Sequence, residues 1–138
     1  MGSGASLLLG GLACSDAQGK GTFFEPTLIV DCDNGMSVFQ EESFGPIVAI
    51  GKVQDDDEAL QMINDSKYGL TGGVYTSDLE FGKQFASQVE AGTVFMNKCD
   101  FLDPYLPWAG RKLSGKGVAL SRHAFEGVTQ LKGFNFSK

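Results

Sequence analysis

The chain has 138 residues, of which 42% are hydrophobic and 20% are charged, a balance that is typical of a soluble globular protein and excludes long disordered stretches. Its net charge of -6 weighs against nucleic acid as a partner, because phosphate binding requires a basic surface. The apolar run at residues 5–9 is too short to cross a membrane. Three widely spaced cysteines without a CxxC pair predict a reducing compartment, by default the cytoplasm or an organelle matrix, and no zinc site.

The first part of the chain is predicted to be a loop that leads into a short strand. Residues 10–21 are rich in glycine, alanine and serine, which is typical of an exposed loop. Residues 27–30 form a largely β-branched run directly after Pro26, and proline favours extended backbone at the residue before it.

The middle of the chain alternates between strand and helix patterns. Short apolar runs predict strands at residues 47–50, 72–75 and 93–96. Between them, acidic residues 55–58 open one helix, and residues 77–80 (SDLE) form a capping box that opens another. This β-α-β-α-β order with short connections predicts an α/β fold built on a parallel sheet.

The second helix has the clearest periodicity. Phe81, Phe85 and Val89 recur every four residues and define its buried face, and Gly92 is predicted to end it. The long loop that follows the third strand, residues 97–117, lies where ligands bind in parallel sheets, beyond the carboxyl ends of the strands. A short helix at residues 121–126 and a terminal strand at residues 128–136 complete the expected elements.

The hexapeptide at residues 41–46 (EESFGP) directly precedes the strand predicted at residues 47–50. A carboxylate there can accept two hydrogen bonds from the vicinal hydroxyls of a ribose, and an aromatic ring can pack on a flat heterocycle. The same residues would also suit a surface turn in which Phe44 fills the core.

Five blocks along the chain resemble signatures of the aldehyde dehydrogenase superfamily, in the family's order. They are residues 21–28 (GTFFEPTL), 41–46 (EESFGP), 64–70 (NDSKYGL), 91–97 (AGTVFMN) and 107–115 (PWAGRKLSG). The resemblance implies an NAD(P)-dependent oxidoreductase that converts an aldehyde to a carboxylic acid. Residues 1–127 would then be the C-terminal part of its catalytic domain, and residues 128–138 its last oligomerisation strand, which implies a homo-oligomer.

The resemblance also implies roles for four residues. Glu42 matches the glutamate that holds the nicotinamide-side ribose, and Phe44 matches the aromatic residue beside the nicotinamide ring. Leu102 and Trp108 match positions that line the aldehyde pocket. The cofactor is expected to be NAD or NADP, held weakly or not at all by this chain alone.

Catalytic residues are not expected within the chain. The family's nucleophilic cysteine precedes the EESFGP block by a longer distance and lies in a G-Q-x-C setting, which matches none of Cys14, Cys32 and Cys99. The family's general base, oxyanion-hole asparagine and dinucleotide-binding domain also lie upstream. The chain alone is therefore expected to be inactive, and neither the aldehyde nor the choice of NAD over NADP can be read from it.

Two other classes of function stay open at this stage. One is a stand-alone structural module that self-associates through an exposed sheet edge. The other is a nucleotide binder that uses residues 110–116, which fit GxxxxGK, although Gly117 stands where a phosphate loop needs Ser or Thr. The sole histidine, His123, has no triad spacing and predicts a surface or packing role.

Overall fold

The computed structural model describes residues 4–99 and 101–137, and the chain divides into two compact units, residues 1–66 and 67–138. The strands are β1 (Ser6–Leu9), β2 (Ala13–Cys14), β3 (Phe23–Phe24), β4 (Thr27–Val30), β5 (Ile47–Ala49), β6 (Tyr68–Gly69), β7 (Thr71–Val74), β8 (Thr93–Met96) and β9 (Arg111–Lys112). The α-helices are α1 (Ser37–Gln40), α2 (Asp56–Asn64) and α3 (Leu79–Gln88), and a 3-10 helix spans Arg122–Gly127. The predicted α/β class is confirmed.

Strand β4 is the centre of the first unit. It pairs antiparallel with β1 and parallel with β5, so that Thr27 lies opposite Ile47. Thr27 is 6% exposed, and its hydroxyl donates to the Glu25 carbonyl and accepts from the Gly11 amide. This network fixes the start of β4 and, through the parallel pairing, the start of β5.

The second unit is built on a β7-α3-β8 crossover. Strands β7 and β8 run parallel from the Thr71–Thr93 pair to the Val74–Met96 pair. The predicted face of α3 is present: the rings of Phe81 and Phe85 lie 5.7 Å apart, and Val89 is 5% exposed. Phe95 of β8 is 6% exposed and completes this small core.

The three strands predicted in the middle of the chain are all present, and together with β4 they form two parallel pairs. The first pairs with β4 in the first unit, and the other two pair with each other in the second unit. The very short pairs β2–β3 and β6–β9 were not predicted, because strands of two residues carry no periodic signal.

The helix starts show one success and one error. In α2, the Asp55 carboxylate accepts from the Glu58 amide at 2.9 Å, as the acidic run predicts. In α3, the prediction of a Ser77 cap was wrong, because Asp78 is the N-cap and accepts from the Phe81 amide at 3.0 Å. The helix ends at Gln88, several residues before Gly92.

Two loop predictions have different outcomes. Residues 110–116 contain β9 and a turn, and no helix begins at Lys116 or Gly117, where a phosphate loop would lead into one, so the phosphate-loop hypothesis is contradicted. Within the described chain, residues 128–137 form no strand ladder. A strand there that is completed by another subunit stays a prediction.

The chain exposes much apolar surface. Among the described residues no large side chain is fully buried, and Leu8, Leu9 and Leu12 are each more than 60% exposed. The fold therefore presents surfaces of the kind that another polypeptide normally covers.

Candidate functional site

The hexapeptide loop, residues 41–46, is anchored at both ends. The Glu41 amide donates to the Ser37 carbonyl at 2.8 Å and closes α1. At the other end, the Pro46 carbonyl accepts from the Thr27 amide at 2.8 Å, which ties the loop to the start of β4. The loop is therefore held by α1 and by the sheet of the first unit.

Glu42 and Phe44 project from this loop. Both are exposed, and Phe44 is 92% exposed, which contradicts the reading of Phe44 as a core plug within this chain. Phe44 also has a φ of 48°, a left-handed conformation that is rare for a bulky side chain. Such strain is typically maintained at binding sites.

The second candidate region is the wall segment, which we define as residues 97–121. Its start is fixed by Asn97, whose side-chain oxygen accepts from the Thr76 amide at 2.9 Å and whose side-chain nitrogen donates to the Thr76 carbonyl at 2.7 Å. The sequence pattern places Asn97 at the start of the long loop and predicts no anchoring role for it. The residue type is the one indication of such a role, because an amide side chain can bond a backbone donor and a backbone acceptor together.

Leu102 and Trp108 are both on the wall segment. Leu102 is 58% exposed, and Trp108 is half-buried with its backbone paired to Ala119 by hydrogen bonds of 2.7 and 2.8 Å. A shallow cavity of about 510 Å³ in this region is lined by Pro104, Tyr105, Pro107, Ser121, Arg122, His123 and Phe125. Neither Leu102 nor Trp108 lines it, so their proposed role does not depend on this cavity.

Backbone strain concentrates in the two candidate regions. Six described non-glycine residues have positive φ, and five of them lie in the hexapeptide loop or the wall segment. Those five are Phe44, Asn97, Lys112, Leu120 and Ser121. Backbone conformations of this kind cluster at binding and catalytic sites in proteins, which makes both loops candidates for such a site.

The cysteines and the histidine show no catalytic arrangement. Cys32 is 6% exposed, while Cys14 and Cys99 are exposed, and none of the three forms a disulfide. His123 Nδ1 lies 3.1 Å from Glu126 Oε1 on the surface of the 3-10 helix, in agreement with the surface role predicted for it. In residues 4–99 and 101–137, no group of His, Cys, Asp and Glu side chains could hold a metal ion.

None of the helices in residues 4–99 and 101–137 has the length and apolar character that a membrane span requires.

Comparison with known proteins gives consistent matches over nearly the whole chain. Residues 1–134 match the model of the "Aldehyde dehydrogenase family". An aldehyde dehydrogenase-like protein of Schizosaccharomyces pombe is 40% identical over 129 residues, which are 94% of this chain and 26% of that protein. The mitochondrial aldehyde dehydrogenase of Sus scrofa is 38% identical over 129 residues, 94% of this chain and 24% of its own length.

A solved structure agrees with these relatives. The indole-3-acetaldehyde dehydrogenase of P. syringae, crystallised in complex with NAD+ and IAA, matches with a TM-score of 0.88 and 38% identity, over 94% of this chain and 26% of that one. The chain thus spans about a quarter of the length of the proteins it matches.

Proposed function

This chain belongs to the aldehyde dehydrogenase family, and from that premise we propose that it forms the C-terminal segment of the catalytic domain of an NAD(P)-dependent aldehyde dehydrogenase. In that enzyme it supplies one side of the nicotinamide site and one wall of the aldehyde pocket. Residues 1–127 belong to the catalytic domain and residues 128–138 form the last strand, which pairs with another subunit. By itself the chain does not oxidise aldehydes.

The exposed and strained Phe44 is the observation that carries the cofactor part of the proposal. Its ring is 92% exposed on a loop that is anchored at both ends, so the ring is available to pack against a nicotinamide. The exposed carboxylate of Glu42, on the same loop, fits the vicinal hydroxyls of a ribose. When bound, the cofactor supplies the hydride acceptor, and the chain contributes binding and orientation.

The aldehyde wall is assigned to the wall segment. Leu102 and Trp108 offer apolar surface on a loop that follows the carboxyl end of β8, where ligands bind in parallel sheets. Trp108 is the only tryptophan of the chain; the residue is half-buried, and its backbone is held by the pairing with Ala119.

The inactivity of the chain alone rests on its cysteines. Cys32 is buried, where an aldehyde cannot reach the sulfur. Within the part of the chain that the structure describes, no hydrogen bond joins the thiol of Cys14 or Cys99 to a general base that could form a thiolate.

An absorbance assay for NAD(P)H tests this inactivity directly. We expect no NAD(P)H formation when the purified chain is mixed with NAD+ or NADP+ and a panel of aliphatic and aromatic aldehydes. Turnover that disappeared when Cys14 or Cys99 was changed to Ser would show that the chain carries its own nucleophile and would overturn this part of the proposal.

A chimera tests the binding roles. The matching segment of the Sus scrofa enzyme, 38% identical, is replaced by this chain. We expect Glu42→Gln to raise the KM for the cofactor roughly tenfold or more, because hydrogen bonds to a charged group are lost. Asp57→Asn, a change of the same kind at an exposed position of α2, is the control and should leave the KM unchanged. An unchanged KM for Glu42→Gln would remove Glu42 from the site.

A self-associating structural module is the second candidate, and the large exposed apolar surface favours it. The acidic charge of -6 supports the absence of a nucleic-acid partner, and three cysteines outside any disulfide support a reducing compartment, for which we propose the cytoplasm. Fractionation of cells that express the tagged chain tests that location, since the relatives include mitochondrial enzymes.

A further inference from the structure

The wall segment is clamped to the rest of the second unit by residues that follow Trp108. Strand β9 pairs antiparallel with β6, so that Lys112 lies opposite Tyr68 and Arg111 lies opposite Gly69. The Leu113 amide extends this contact by donating to the Lys67 carbonyl at 2.9 Å. The chain therefore returns to β6 soon after Trp108.

Ser114 completes the clamp with its side chain. Its hydroxyl oxygen accepts from the Gly69 amide at 2.9 Å, and its own amide donates to the Arg111 carbonyl at 3.0 Å. The Gly69 carbonyl in turn accepts from the Gly92 amide at 3.0 Å. Gly69 is buried, so the loss of the Ser114 hydroxyl would leave a buried donor without this acceptor.

An ion pair between Lys112 and Glu90 also holds the turn at residues 111–114. Lys112 Nζ donates to Glu90 Oε2 at 2.8 Å, and the Lys112 side chain is only 25% exposed. Lys112 has a φ of 53°, so its backbone adopts a left-handed conformation at the place where the side chain reaches Glu90. The pair holds the wall segment against the end of α3 and its following turn.

The backbones in the clamp lie too close for any side chain between them. A Cβ added at Gly92 would overlap the carbonyl oxygen of Ala109, and one added at Gly69 would overlap the carbonyl oxygen of Glu90. Ala109 directly follows Trp108. The position of the Trp108 backbone is therefore coupled to Gly92 through a single residue, and to Ser114 and Lys112 through the turn.

We propose that Ser114 and the Lys112–Glu90 pair are positioning residues that fix the side chain of Trp108, and through it the shape of the aldehyde wall. They do not touch the reacting atoms; they act through the backbone of residues 109–114. The part that concerns the aldehyde rests on the proposed function, whereas the fixing of Trp108 stands on the contacts within the second unit.

The sole tryptophan makes the first part directly measurable. In the purified chain, Ser114→Ala should shift the Trp108 emission to longer wavelength and steepen its quenching by acrylamide. The Gly69 amide should exchange with solvent about fivefold faster, the effect of one lost hydrogen bond. Ser114→Thr, which keeps the hydroxyl, should restore both values.

Matched controls separate positioning from general stability. Ser87→Ala removes a hydroxyl from the surface of α3, and Lys116→Gln removes a charge from the same loop as Lys112. Both should leave the Trp108 signals of the native protein unchanged, while Lys112→Gln should alter them. If Ser114→Ala does not fold, the same measurements are made on Glu90→Gln, which changes an exposed side chain and removes the charge that pairs with Lys112. Unchanged native Trp108 quenching in folded Ser114→Ala and Lys112→Gln would overturn the proposal.

The chimera distinguishes this inference from the proposed function. Ser114→Ala should raise the KM for the aldehyde and leave the KM for the cofactor unchanged. If the Trp108 quenching rises but the aldehyde KM does not move, the positioning role stands and the placement of Trp108 in the aldehyde wall is wrong.

Discussion

Gly92 shows how one residue can be required by contact rather than by conformation. The sequence pattern predicts Gly92 as the end of α3, but the helix ends earlier, at Gln88. A glycine is required at position 92 because the Ala109 carbonyl lies where a Cβ would be. A sequence pattern cannot reveal such a contact, because Ala109 is distant along the chain.

Replacement of Gly92 by Ala is therefore expected to be strongly unfavourable. The obstacle is backbone, which cannot rotate away, so the free energy of unfolding should fall by about 1–3 kcal/mol in urea denaturation. Gly73→Ala is the matched control, since a Cβ there meets nothing within 4 Å. Equal effects of the two substitutions would contradict the close approach of residues 92 and 109.

Glu90 gives the clamp a dependence on pH. The hydrogen bond from Lys112 and then the charge of Lys112 hold the pKa of Glu90 below its ordinary value of 4.5; slight burial raises it, and the charge of Arg111 lowers it further. Because the pKa is lower in the folded chain, the stabilisation is complete above the ordinary value and is lost as the pH falls through the folded pKa.

The stability difference between the natural chain and Glu90→Gln should follow this window. It should be present in urea denaturation at neutral pH, begin to fall near the ordinary glutamate pKa of 4.5, and vanish only below the lower pKa of the folded chain. The control is Glu80, which pairs with Lys83 on the exposed face of α3. Glu80→Gln should lower the free energy of unfolding much less than Glu90→Gln does. A difference for Glu90→Gln that persisted in acid would exclude its ionisation as the cause.

Ser121 carries strain that a glycine would relieve. Its φ of 53° and ψ of -178° lie in a region that is almost confined to glycine. Ser121→Gly should raise the free energy of unfolding by about 1 kcal/mol, even though the cap to the His123 amide is lost. Ser87→Gly, within α3, should lower it by a similar amount. Thermal unfolding of both variants provides the comparison.

At the scale of elements, the sequence predicted what depends on periodicity and composition. Apolar runs predict strands at residues 27–30, 47–50, 72–75 and 93–96, and the structure has them at residues 27–30, 47–49, 71–74 and 93–96. The two longer helices follow from their acidic starts and helical spacing. What it missed depends on partners distant in sequence. Strand β1 forms because β4 returns beside it, and β9 forms because its chain returns beside β6.

The sequence and the structure give different N-caps for α3: the capping-box pattern indicates Ser77, whereas the structure has Asp78. Asp78→Ala should lower the free energy of unfolding by about 1 kcal/mol, because its carboxylate caps the Phe81 amide. Ser77→Ala should change it by only a few tenths, contrary to the capping box expected from the sequence. Urea denaturation of the two variants distinguishes these N-caps. A larger loss of unfolding free energy for Ser77→Ala than for Asp78→Ala would support Ser77 as the N-cap.

The roles of the candidate site residues stay predictions. The family resemblance supplied Glu42, Phe44, Leu102 and Trp108, and the structure places them on two anchored loops with unusual backbone strain. The anchors themselves, Asn97 and Ser114, could not be predicted, because their partners Thr76 and Gly69 are identified only by the fold.

At the scale of the whole molecule, the exposed apolar surface governs behaviour in solution. Among the described strands, β1 pairs only with β4, and Leu8 within it is 66% exposed. We expect the isolated chain to elute above 14.7 kDa in gel filtration and to shift with concentration.

A charge on that strand should reduce the association. Leu8→Lys places a lysine where natural sheet edges use one, and light scattering should report a lower mass. Ser87→Lys adds the same charge on the surface of α3 and should leave the mass unchanged. A natural chain that stayed monomeric at high concentration would argue against edge pairing.

The distribution of the thiols has a practical consequence. Cys14 is exposed in the first unit, Cys99 is exposed in the second, and Cys32 is shielded at 6% exposure. Maleimide spin labels should therefore attach once to each unit of the unaltered chain, since accessible thiols react first. Dipolar electron resonance between the two nitroxides would then follow the separation of the units as a cofactor or a complementary polypeptide is added.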